Sequence, residues 1–145
     1  MLVRLVASDV QQNWELIKHC VERCFPPHEI PSPEVFTSIF DALLEGSMQC
    51  WGYVLDDGKL LAIVVTQYTK ERVSGQSSLL IYSLAAPYDG VEIPEAAWRV
   101  GYDVLTNFAR TLGCTSVTAY TDFVGLADRI KKLGGTAKYY LRLEV

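Results

Sequence analysis

The stretch CWGYVLDDGKLLAIVVTQYT, residues 50–69, limits the fold more than any other part of this chain. Trp51, Tyr53 and Leu55 alternate, Asp57-Gly58 supplies residues that tolerate positive φ, and Leu60 to Val65 is a return run rich in β-branched side chains. That pattern predicts a hairpin. A polar turn from Lys70 to Ser77, with Gly75 in it, leads into Leu79, Leu80, Ile81, Tyr82 and Leu84, a third strand. Three consecutive antiparallel strands this apolar need covering, so the remaining segments must supply helices that pack on them.

Those helices are legible. Leu2 to Val6 reads as a first strand, after which Ser8 or Asp9 can cap a helix over about Val10 to Cys24, with Trp14, Ile17, Val21 and Cys24 on one stripe. Phe25 to Pro33 is a loop stiffened by four prolines. Ser32 as cap and Pro33 as first residue open a second helix to Gly46, whose wide apolar stripe (Val35, Phe36, Ile39, Phe40, Leu43, Leu44) predicts burial on a sheet. Pro94 to Gly113 is helical again, with Trp98, Gly101, Leu105, Phe108, Ala109 and Leu112 on one face. Thr115 to Tyr120 is a strand, parallel to its predecessor because a whole helix separates them. A short helix over Val124 to Leu133 ends at Gly134-Gly135, and Thr136 to Val145 reads as a closing strand with Tyr139, Leu141 and Leu143 alternating. The order is β-α-α-β-β-β-α-β-α-β, an α/β domain with helices on a mixed central sheet, occupying residues 1–145 as one unit.

Composition narrows function by exclusion. A net charge of -4 with scattered Lys and Arg argues against nucleic acid as a partner, and the cluster Arg129, Lys131 and Lys132 reads as the last turn of a helix. No apolar run is long enough to span a bilayer and no cleavable leader is evident, so no membrane association and a soluble, cytoplasmic protein are expected. Cys20, Cys24, Cys50 and Cys114 read as reduced thiols rather than a disulfide scaffold. Cys20, Cys24 and His28 fall at intervals of four, but Pro26 and Pro27 end the helix before His28. No metal site is expected, and His28 is read as solvated.

The strand-loop-helix from Ser78 to Trp98 carries the functional question, because a strand feeding a helix N-terminus presents free amides to an anion. Pro87, Asp89 and Gly90 turn the chain there. The hairpin VLDDGKLLAIVV, the strand end LAAPYDG and the terminal ADRIKKLGGTAKYYLRLEV, in that order within one domain, resemble the GNAT superfamily of acyl-CoA-dependent N-acyltransferases. The resemblance covers nearly the whole chain. It implies acetyl-CoA as the family cofactor, with the backbone of Leu84, Ala85 and Ala86 and the loop at Gly90 as the cofactor-binding positions. Pantetheine would need a splayed gap between the strands at Ala85 and Thr115.

Residue by residue, the resemblance also implies loss of that site. The family's Gly-rich loop is DGVEIPEA here, with Gly90 at the basic or amide position and Val91, Ile93 and Glu95 where small residues belong. Pro94 removes an amide donor, and Asp89, Glu92 and Glu95 set three carboxylates around a dianion. The family's tyrosine acid falls on Ile130, and its asparagine ahead of the last helix is replaced by the Asp122 and Phe123 neighbourhood. Glu71 as base, Ser83 as water-orienting hydroxyl and Tyr139 as acid are the weak catalytic candidates. The reading is a non-catalytic GNAT-fold protein that binds no cofactor and works through a protein partner or larger assembly. It resembles small proteins carried by tailed bacteriophages, virion components among them. Partner contacts are expected at Phe25 to Pro33 and Tyr88. The alternative is an N-acetyltransferase using acetyl-CoA on an unidentified amine.

Overall fold

A computed structural model describes every residue except Phe123. The chain runs β1 (Leu2–Leu5), α1 (Ala7–Gln12), α2 (Trp14–Arg23), α3 (Pro33–Glu45), β2 (Met48–Val54), β3 (Leu60–Lys70), β4 (Ser77–Ala85), α4 (Glu95–Thr111), β5 (Ser116–Ala119) and α5 (Val124–Lys132). The five strands lie side by side in chain order, antiparallel from β1 to β4 and parallel from β4 to β5. This is the mixed α/β architecture that the sequence pattern predicts.

Local chemistry accounts for the boundaries. Ser32 Oγ accepts the Val35 N–H at 3.2 Å, Pro33 opens α3, and Gly46 ends it at φ +90°, a conformation that only glycine adopts without strain. In the hairpin turn, Asp57 Oδ1 accepts the Lys59 N–H at 2.9 Å while Gly58 takes φ +85°. Sheet alternation divides the apolar residues between two cores. Ile17, Val21, Phe36, Ile39 and Leu43 pack with Leu80 and Tyr82 on one face; Leu105 and Ala109 of α4 pack with Trp51, Val64 and Leu79 on the other.

Three expectations need correction. The first helix is not continuous from Val10: it starts at Ala7, where Asp9 Oδ2 accepts the Val6 N–H at 3.1 Å, and breaks at Asn13, whose amide side chain donates to the Asp9 carbonyl at 2.8 Å. The segment from Thr136 to Val145 keeps its alternation but joins no ladder. Tyr139, Leu141 and Leu143 are 98%, 88% and 90% exposed. Period-two patterning reports a strand's faces and not its partner, and no element among the described residues covers the apolar face. Phe25 and Pro26, expected at the surface, turn inward. Phe25 stacks near Phe36 and edge-on to Tyr82, leaving Ile30 as the exposed apolar residue of that loop.

Candidate cofactor cleft

The cleft begins at an irregularity in β4. Val65 of β3 stands opposite Ser83 and Thr66 opposite Ile81, so Tyr82 is an extra residue, a β-bulge. Leu80 and Tyr82 face the first core, and the alternation resumes out of phase, with Leu84 in the second core and Ala85 in the first. Beside it, β5 pairs with β4 only from Ser78 opposite Ser116 to Ile81 opposite Ala119. From the bulge onward, the β4 edge has no strand partner among the described residues. The two parallel strands therefore part after Ile81. The opening lies past Ala119, not at Thr115, whose N–H donates to the Ser77 carbonyl at 2.9 Å at the closed end. An apolar cavity of about 450 Å³ lies under α4 and α5 against this part of the sheet, lined by Leu84, Ile93, Trp98, Tyr102, Ile130 and Leu133 among others. That volume is in the range of roughly 300–1,000 Å³ usual for small-molecule sites.

The loop that should receive a pyrophosphate is otherwise engaged. Arg23, at the end of α2, donates from Nη1 to the Ala86 carbonyl at 3.0 Å and from Nη2 to Asp89 at 2.8 Å, tying the end of β4 to the following turn. Gly90 takes φ +72° with open space around its Cα, so it serves the turn. Pro94 is the N-cap of α4 and offers neither an N–H nor a capping side chain. Glu95, in the first turn, pairs with Arg129 of α5, whose guanidinium also lies 5.0 Å over the Trp98 ring. That hydrogen bond holds the Glu95 carboxyl below its ordinary range. Two of the three acids thus carry arginine partners, which offsets part of the repulsion expected from sequence. The same pairs commit Asp89, Glu95 and the Ala86 carbonyl to internal contacts. Leu84 reaches the cavity, the Ala86 carbonyl accepts from Arg23, and Val91, Ile93 and Pro94 follow Gly90 in the loop.

Across the sheet, tertiary structure assembles a polar-aromatic cluster that sequence spacing did not disclose. The Tyr82 hydroxyl, at the bulge, donates to Glu29 Oε2 at 2.5 Å. Burial, reinforced by this carboxylate, pushes the phenol well above its ordinary value. His28, expected in solvent, packs 4.3 Å from the Tyr120 ring and 5.9 Å from Tyr140, with Nε2 3.8 Å from Glu29 Oε1. Its Nδ1 is buried without a hydrogen-bond partner among the described residues. Tyr120 and Tyr140 also meet edge to face. The only advance signal was the prolines that fix the loop.

The catalytic candidates are not brought together. Glu71 is exposed in the β3–β4 turn, next to Gln76, at the other end of β4 from the opening; the run from Gln76 to Ile81, where the strands part, puts it about 17 Å away at 3.3 Å per residue. Ser83 is buried just after the bulge. Tyr139 points into solvent, and it is Tyr140 that enters the cluster. Ile130, at the family's tyrosine position, lines the apolar cavity. The Phe123 half of the expected asparagine position lies outside the described residues. Cys20 is buried and Cys24 exposed.

A mixed five-stranded sheet with a bulged fourth strand, a fifth strand parting from it and helices on both faces is the GNAT fold, that of the acyl-CoA-dependent N-acyltransferases. AAC(6')-Iy, solved with the bisubstrate analog CoA-S-monomethyl-acetylneamine, matches with a TM-score of 0.72 at 9% identity over 100% of this chain and 96% of that one. An aminoglycoside acetyltransferase, meta-AAC0020, from an uncultured soil metagenomic sample matches at 0.68 and 17% identity over 100% and 93%. Ribosomal-protein-alanine N-acetyltransferase from Brucella melitensis biovar Abortus 2308 matches at 0.66 and 14% over 100% and 98%. At such identities the likeness establishes the fold alone. No protein-family model and no curated protein matches the sequence. No helix among the described residues is long and apolar enough to cross a membrane.

Proposed function

We propose that this chain is a GNAT-fold binding component that does not use acyl-CoA and works through protein contacts in a larger assembly, a phage virion being one such setting. The observation that carries the reading is Arg23. Its guanidinium holds the Ala86 carbonyl and Asp89 together across the end of β4, where the family's cofactor arm and pyrophosphate would need free backbone. Val91, Ile93 and Pro94 add to it by denying the loop close backbone approach and one donor.

A second reading, an N-acetyltransferase acting on an amine, draws support from the opened β4–β5 edge and the cavity beside it. In that case Glu29 and His28, beside the bulge, would be the groups placed to take a proton from the amine. Calorimetric titration with acetyl-CoA separates the two. No heat of binding up to about 1 mM ligand supports the binding component, and a dissociation constant of about 100 µM or tighter overturns it in favour of the enzyme.

A further inference from the structure

The segment from Thr136 to Val145 has the pattern of a strand and no ladder. Two of its even residues turn back on the chain: Tyr140 meets Tyr120 edge to face and lies 5.9 Å from the His28 ring, and Arg142 Nη1 donates to the His28 carbonyl at 3.3 Å. Its odd residues face outward. Tyr139, Leu141, Leu143 and Val145 are each almost wholly exposed, four apolar side chains in a row along one face. Among the described residues no backbone N–H or C=O of 136–145 pairs with a strand. An unpaired apolar segment of this kind is a template for pairing with another chain.

We infer that residues 136–145 form a two-fold interface with a second copy of this chain, pairing antiparallel with the same segment of the partner about an axis at Leu141. The charge pattern selects both the occupant and the register. Directly opposed residues of an antiparallel pair share a face, so apolar positions must meet apolar ones. Centring on Leu141 sets Ala137 against the partner's Val145, Tyr139 against the partner's Leu143, and Leu141 against its own symmetry mate. On the other face Lys138 meets the partner's Glu144 and Tyr140 meets the partner's Arg142, each twice by symmetry. Moving the centre to Tyr140 opposes Lys138 to the partner's Arg142, two cations, and half-residue shifts set apolar against charged side chains. The intrachain Arg142–Glu144 pair, 2.7 Å apart, holds the two charges on the same face in readiness. This interface is independent of whether acetyl-CoA binds.

Sedimentation equilibrium on the full chain at about 100 µM should give twice the mass of one chain. Leu141→Lys, at an exposed position that leaves the circular dichroism unchanged, sets two cations at the axis and should give a monomer. Lys138→Glu and Glu144→Lys should each weaken the dimer about tenfold, since each creates two like-charge contacts, and the double variant should restore it to within about twofold of wild type. A wild-type monomer, a dimer indifferent to Leu141→Lys, or a double variant no better than the singles overturns the interface.

Discussion

Thr66 offers the sharpest test of how β2 and β3 are held together. It is fully buried on β3, at the register shift opposite Ile81. Its hydroxyl accepts the Trp51 indole N–H at 3.0 Å and donates to Gln49 Oε1 at 2.8 Å, while Gln49 Nε2 donates to the Gly46 carbonyl at 3.0 Å. Thr66→Val keeps the shape and removes the hydroxyl. It leaves a buried indole N–H and a buried amide oxygen unpaired, and each such group costs about 1–3 kcal/mol. The expected loss is about 3 kcal/mol in total. Unfolding 145 residues at about 2.1 cal/mol/K per residue gives an entropy near 0.3 kcal/mol/K, so the midpoint should fall by about 10 °C. Thr66→Ser keeps both hydrogen bonds and loses one methyl group, about 1 kcal/mol. Urea and thermal unfolding followed by circular dichroism measure both variants. A Thr66→Val protein within about 1 kcal/mol of wild type, or more stable than Thr66→Ser, would refute the argument that this relay holds the strands in register.

Two further outcomes follow from single side chains. Burial pushes the Cys20 thiol up to about 11 and the Cys50 thiol up to about 12. Iodoacetamide at pH 8 should therefore modify exposed Cys24 in the folded protein and spare these two until urea is added. Because the folded values are raised, the stability these thiols lend is fully present below about pH 9 and is lost as pH rises through the folded values; urea midpoints between pH 8 and pH 12 should fall accordingly. Arg23→Ala removes the tie between Ala86 and Asp89, and limited proteolysis should then cut within residues 87–94 several-fold faster with the far-ultraviolet spectrum unchanged. An unaltered cleavage rate would mean that the loop is held by other contacts.

Several features were legible because their causes are local. The α3 start at Ser32 and Pro33, its end at Gly46, the Asp57-Gly58 turn and the parallel β5 all follow from residues within a few positions or from one helix-length connection. The element order followed from these, and the likeness to the acyltransferase fold followed from the order. The start of the first helix is not legible in the sequence, because Asp9 reaches back to the Val6 N–H rather than capping forward.

The sequence by itself determined the run of strands and helices, the two-sided sheet, the bulky Val91, Ile93 and Pro94 in the loop before α4 and the apolar alternation of the last ten residues, since each is carried by spacing along the chain. Only the tertiary structure decided that Tyr82 is a bulge bonded to Glu29 53 positions away, that Arg23 occupies the Ala86 carbonyl 63 positions away, and that His28 packs on Tyr120. Those pairings depend on strand register and on where α2 ends against the sheet. No periodicity encodes them, because a hydrogen bond between distant residues is chosen by three-dimensional proximity and not by interval.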